Sequence, residues 1–424
     1  MEHMIALGDA HEGAFFGNAP EFDAPARGMW NIVHTGMLIP EAHQIFVCAE
    51  GCLRGVVLTA AEMGALERMS TICIDDTDIA RGQDTIADDV MKILRSLPYT
   101  PKIVLLYFSC MHLVAGCDIH GLMRELDSRL SHTVVIDCYM APTMRTTITP
   151  DAWMRIKLYA ALQLRPVDRR SVNIIGNDRP TDKDSELVRI IRENGFILRD
   201  ITLCKSYDEY MDMASSFLNI TYLPSAAEAG KSLLFGKHLR LRCSFDADTI
   251  AEELGSLCDA LGVPCPDFTD GRWSAEAALT KVSGVLGGRA VAIDYTAVSR
   301  PFDLALALVR HDVNVRWIIA DGTGEDIPEF YALKAAAPDI QVISAVHADM
   351  IGFVGDPDVL AIGQKAAYYL CTDNFVDIVA GGGLFGFTGV VKLCAMIEDA
   401  HFNKKDRMSL IRRKGFGLPS PFKQ

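Results

Sequence analysis

The chain has 424 residues, 50% apolar and 23% charged, a globular composition that excludes a disordered or fibrous protein. At about 150 residues per domain, the length predicts two to four domains. The 41 Lys and Arg are outweighed by 55 Asp and Glu, a net charge of −14, so the chain lacks the basic footprint of a nucleic-acid partner.

Residues 1–16 carry acids and no basic segment leading into an apolar run, which argues against a secretory leader. No run of roughly 18 or more uncharged apolar residues occurs, so no membrane span and a cytoplasmic location are expected.

In chain order, residues 44–47 read as a strand that ends at Cys48, and 69–72 as a weaker one that ends at Cys73. Residues 103–108 form an apolar run leading into Ser109 and Cys110, then a helix near 118–130. Residues 133–137 predict another strand, with Cys138 at its end. A new unit begins near Ser171: strand 172–175, loop 176–180, helix 182–195, then extended chain at 196–198. A third follows Gly287 and Gly288: strand 290–293, helix 299–310 and strand 315–319. The last long helix is 386–402, after Gly381, Gly382 and Gly383.

Strands alternating with helices imply parallel sheets flanked by helices. The expected fold is α/β, with three Rossmann-like doubly wound parallel-sheet domains over 1–170, 171–285 and 286–424. The basic tail from Arg407 predicts a surface segment or a subunit-contact arm.

Of the 12 cysteines, six fall between positions 48 and 138. Parallel sheets bind ligands at the carboxyl ends of their strands. Cys48, Cys73, Cys110 and Cys138 all follow predicted strands, so they are candidates for one crevice. Thiolates suit iron–sulfur clusters or zinc. The alternative is that they pack as small buried hydrophobes. The zinc pattern of repeated Cys-x-x-Cys pairs is missing; Cys48 and Cys52 make the one close doublet.

Other segments have two readings each. The loop Gly176-Asn177-Asp178-Arg179-Pro180 is either a phosphate cradle or an ordinary βα turn, and it holds no glycine fingerprint. The acidic turn Asp321-Gly322-Thr323-Gly324-Glu325 would repel phosphate, which places ATP elsewhere. His112 either tunes a cluster through a hydrogen bond or is a surface or interface residue. Asp75 and Asp76 read as a docking or metal pair, or as a solvated loop.

The run 48–57 (CAEGCLRGVV), then Cys73, then 108–119 (FSCMHLVAGCDI), resembles the component 1 subunits of nitrogenase and nitrogenase-like reductases. In that family three cysteines hold an electron-relay cluster at a subunit interface, and Cys48, Cys73 and Cys110 match them by position. Residues 382–399 resemble the family's last Gly-rich turn and helix, so the likeness spans nearly the whole chain. Two departures stand out. Met69-Ser70-Thr71-Ile72 replaces the usual glycines before the second cysteine, and Cys117 stands where the family often has Asp. Cys138 falls where the family has a loop over the cluster, which makes it a possible fourth ligand; Cys52 is extra, and either it or Cys117 could ligate or merely pack.

The resemblance implies an interface iron–sulfur cluster, P-cluster-like or [4Fe-4S]. It also implies an α-type component 1 partner in an α2β2 heterotetramer, and a separate iron-protein reductase dimer that carries the ATP and Mg. The family's catalytic subunit holds its large cluster with a Cys of the middle domain and a His before the last Gly-rich turn. Here residues 374–380 have no His, with Cys243 the one candidate Cys, so a β-type relay subunit is expected. Reductive C–S cleavage, as in methylthio-alkane reductase, is the specific activity expected. A cluster-assembly scaffold and a metal-free bilobal binding protein are the alternatives.

Overall fold

The computed structural model describes residues 3–17, 21–22, 24, 32–74, 83–141 and 148–413. Asp75 and Asp76 lie outside the described residues. The protein is an α/β molecule with three largely parallel sheets.

The first strand, β1 (Met4–Ala6), leaves the N-terminal region and pairs antiparallel with the edge of the third sheet. The first sheet holds β2 (Ala42–Cys48), β3 (Met69–Cys73), β4 (Ile103–Ser109) and β5 (Val134–Met140) in the order β3-β2-β4-β5. The second holds β6 (Asp168–Ile174), β7 (Ile197–Asp200), β8 (Ser216–Thr221) and β9 (Lys237–Arg240) in the order β7-β6-β8-β9. The third adds β10 (Val291–Asp294), β11 (Val315–Ile319), β12 (Gln341–Ile343), β13 (Leu360–Ile362) and β14 (Phe375–Val376), ordered β1-β12-β11-β10-β13-β14. Each order reverses once beside its first parallel strand, the signature of double winding.

The first sheet shows why these residues become strands. Every residue of β2 and β4 is buried, so each apolar run faces helices on both sides of the sheet. Phe46, Cys48, Leu105, Tyr107, Ile136 and Cys138 pack on one face. Ile45, Val47, Val104, Leu106, Phe108 and Val135 pack on the other. Phe46 stacks on Tyr107 with ring centroids 4.2 Å apart.

At the opposite end of β2 from Cys48, buried His43 ties the sheet together. Its Nδ1 meets the Tyr99 hydroxyl at 2.8 Å and its Nε2 meets Ser70 Oγ at 2.8 Å. Burial, then Arg68, pushes its pKa down from 6.5 to about 4. A lowered histidine pKa stabilises fully above the unfolded value and loses that stability as pH falls from 6.5 to 4. Asp200 and Asp303, pushed up to about 6 by burial, act in the opposite sense as pH rises from 4 to 6. We therefore predict the His43 effect as a difference. Between pH 7 and pH 4, the stability advantage of wild type over His43→Asn shrinks by roughly 3 kcal/mol, at about 1.4 kcal/mol per pKa unit. Urea unfolding of both proteins at the two pH values checks it; an advantage independent of pH contradicts it.

The Gly-rich turn before helix Gly386–Phe402 fastens the third sheet to the second. The Gly383 carbonyl accepts the Asp182 N–H at 2.9 Å, and Glu186 accepts from the Thr388 N–H at 3.1 Å. Lys392 meets Asp182 at 2.5 Å and Asp184 at 3.0 Å. The tail helix Arg407–Arg413 packs near helix Glu50–Glu62, with Ile411 buried. No helix among the described residues is long and apolar enough to cross a membrane.

Candidate metallocluster site

Three cysteines lie at the carboxyl edge of the first sheet, on three adjacent strands. Cys48 closes β2 and Cys73 closes β3, paired in register. Val47 pairs with Phe108, so Cys110 comes two residues beyond that pair, at the first position of helix Cys110–Val114. The sheet order reverses between β2 and β4, so Cys48 and Cys110 flank the switch point, where α/β sheets bind ligands. Each βα transition is made by the chain itself. Ala49 occupies the N-cap position of helix Glu50–Glu62 without a side-chain hydrogen bond, while Ser109 and His112 cap helix Cys110–Val114 reciprocally.

The cluster is graded from inside to outside. Cys48 is buried, Cys110 half-buried and Cys73 exposed. Exposed Cys52, in the first turn of helix Glu50–Glu62, joins them. Burial, then the neighbouring thiols of Cys52, Cys73 and Cys110, pushes the Cys48 thiol up to about 12. Burial and then Cys110 raise the Cys52 thiol as well. Thiols raised in this way, Cys48 and Cys52, become good thiolates only beside a positive charge.

A single zinc at 2.3 Å bonds would draw its sulfurs to within about 4 Å of one another. Among the described residues, the one trio of ligand atoms lying within 4.8 Å of one another is that of His3, His347 and Asp349. The strand-end cysteines form no such trio among the described residues. The donor set is thus soft, clustered and open on one side, and it fits an iron–sulfur cluster. Beside it, Leu113 and Val114 are exposed, Val114 at 83%.

Cys138 does not share this edge. The strand expected to stop at Asp137 runs on to Met140, which leaves Cys138 inside β5, paired with Tyr107 and fully buried. The reason is Tyr139 and Met140, which continue the ladder beside Phe108 and Ser109. Burial raises the Cys138 thiol strongly. Cys117 packs against the core on the Phe108 side.

His112 is neither a surface residue nor turned outward. It is buried, accepts the Ser109 N–H at Nδ1 over 3.2 Å and meets Phe108 edge-on at 5.3 Å. Burial lowers its pKa. The loop after β6 behaves as a packed turn. The Gly176 N–H donates to the Tyr159 hydroxyl at 2.7 Å, and its carbonyl accepts from Arg155 at 2.7 Å.

Two cavities lie apart from the thiol edge. Cys243 is buried, its sulfur 3.6 Å from the Leu384 carbonyl, and the cavity it lines measures about 10 Å³. That is about the least that admits one water. The wide cavity, about 600 Å³, is lined by Thr149, Asp151, Ser225, Tyr295, Asp321 and His347 among others, with no cysteine among the described residues. The acidic turn at Asp321 forms part of its wall.

Residues 33–400 match the nitrogenase component 1 type oxidoreductase family. The chain belongs to that family. Solved structures agree in fold. Nitrogenase Cp1 at pH 6.5 superposes with a TM-score of 0.66, over 93% of this chain and 95% of that one, at 14% identity. Nitrogenase Cp1 at pH 5 gives 0.57, over 95% and 94%, at 12% identity. No curated protein matches by sequence. As a component 1 family member, the chain is a nitrogenase-like oxidoreductase subunit of a family that binds iron–sulfur clusters and works in complexes.

Missed in the sequence were Cys52 as a neighbour of Cys110 and His112 as a buried cap. Cys52 follows Cys48 by four residues and falls in the first turn of the helix that starts at Glu50.

Proposed function

We propose that this chain is the β-type, electron-relay subunit of a nitrogenase-like reductase. The observation that carries the reading is the thiol edge: Cys48, Cys73 and Cys110 on adjacent strands at the switch point of the first sheet, open toward exposed Leu113 and Val114. An α-type partner seated on that face would complete the ligand set, in an α2β2 assembly. A bound iron–sulfur cluster, P-cluster-like or [4Fe-4S], supplies one-electron storage at this boundary.

The chain's own residues hold and shield it. Cys48 anchors from the core side, where Phe46 and Tyr107 exclude water. Ser109 and His112 fix the turn that aims Cys110. The negligible cavity at Cys243, and a wide cavity with no thiol among its described lining residues, support a relay subunit with the reducing cluster on its partner. ATP and Mg belong to a separate iron-protein reductase dimer, since the Gly176 turn is filled and the turn at Asp321 is acidic. Reductive C–S cleavage of a methylthio-alkane is the reaction we assign to the complex, on the departures from nitrogenase before Cys73.

Relay and assembly scaffold separate in one experiment. The iron-loaded chain is incubated with its α-type partner, reductase and ATP, then re-isolated. A relay subunit keeps its iron through turnover. Transfer of that iron to the partner makes the chain a scaffold and overturns the relay.

Cys138 supplies a control. Cys138→Ala is predicted to retain wild-type iron while losing about 1 kcal/mol of stability, the typical cost of a small core truncation. Iron analysis beside a thermal melt checks both; loss of iron from this variant would make Cys138 a ligand.

A further inference from the structure

We infer that His3, His347 and Asp349 form a second metal site, a two-histidine, one-carboxylate site for a borderline divalent cation. The site is built by long-range pairing. β1 lies antiparallel to β12 with Met4 opposite Ile343, and the His3 carbonyl accepts the Ser344 N–H at 2.9 Å. This holds residue 3 beside the loop that follows β12. Three residues further on, His347 caps the turn Ala348–Met350.

The ligand atoms of the three side chains all lie within 4.8 Å of one another. Asp349 Oδ2 is 3.7 Å from Nδ1 of His3 and 3.7 Å from Nδ1 of His347. These separations are too long for hydrogen bonds. The independent observation is at His3. Its side chain is 9% exposed, and its Nδ1 is buried without a hydrogen-bond partner among the described residues. Buried polar atoms in native proteins are nearly always satisfied, and a bound cation would satisfy this one.

His347 Nδ1 accepts the Asp349 N–H at 3.1 Å, so its proton sits on Nε2 and Nδ1 carries a lone pair. A cation would take that lone pair in place of the cap. Asp349 is 59% exposed, which gives an ion a path from solvent. Imidazole and carboxylate together select Zn²⁺, Fe²⁺, Co²⁺ or Ni²⁺ over Mg²⁺ or Ca²⁺. Three protein ligands leave a position for water. Bound there, the ion staples β1 to the third sheet across nearly the whole chain.

Anaerobic titration of the full chain with Co²⁺, followed by cobalt analysis and cobalt-edge X-ray absorption, tests this without reference to activity. Wild type is expected to bind one more cobalt than His3→Asn or Asp349→Asn, and that cobalt should show imidazole and oxygen ligands without sulfur. Asp349 is exposed, so Asp349→Asn keeps the fold and carries the test if His3→Asn fails to fold. Its affinity is expected to fall by at least about tenfold. Equal cobalt in wild type and Asp349→Asn, with the same imidazole contribution, would overturn the site.

Discussion

Cys73→Ser loses its iron, by at least about tenfold relative to wild type, and keeps its fold. The two outcomes are separable at this position because Cys73 is exposed at the end of a half-buried strand. Its sulfur supports no core, so serine there removes a ligand and little else. Cys110→Ser is expected to behave alike, since its half-buried side chain opens a short helix whose cap lies in Ser109 and His112. Cys48→Ser should lose iron too, and also stability, because a hydroxyl replaces a buried thiol at a cost of about 1–3 kcal/mol. Iron analysis with circular dichroism on the three variants reads the pattern. Iron retained in Cys73→Ser and Cys110→Ser would mean these thiols merely pack or face solvent.

The second large effect belongs to the Gly-rich turn. Gly381 and Gly383 both have positive φ, 71° and 80°. They differ in surroundings: a methyl on Gly381 meets nothing within 4 Å, whereas one on Gly383 would overlap the Pro180 carbonyl oxygen. Gly381→Ala should cost about 1–2 kcal/mol for the left-handed backbone alone. Gly383→Ala adds a backbone clash, for a total of about 3 kcal/mol or more. The damage falls on the junction. Amide exchange at Asp182, bonded to Gly383, and at Thr388, bonded to Glu186, should quicken roughly a hundredfold in Gly383→Ala, at about 1.4 kcal/mol per decade. In Gly381→Ala the change should stay near tenfold. Equal effects in the two variants would contradict the docking role of Gly383.

Much of the fold was legible because the signals were local. The apolar runs at 103–108 and 172–175 became buried central strands, and the last long helix is Gly386–Phe402, as its Gly-rich start implied. β1 was not legible. It is three residues long, and its partner lies more than 330 positions away, so no local pattern marks the pairing. The placing of Cys138 failed for a related reason. Tyr139 and Met140 suit a strand or a loop equally, and only pairing with Phe108 and Ser109 decides.

The site was half legible. Strand ends at Cys48, Cys73 and Cys110 follow from composition, but their adjacency depends on the order β3-β2-β4, which crossover geometry sets. The His3 site depends wholly on β1 and therefore had no sequence signal.

The most direct measurement is iron and acid-labile sulfide per chain, with EPR of the reduced form, on protein purified anaerobically with its α-type partner. Several irons per chain with matching sulfide, and a cluster signal abolished in Cys73→Ser, are the predicted result. A colourless, iron-free complex that folds equally well with and without Cys73 and Cys110 would contradict the relay assignment and favour a metal-free α/β binding protein.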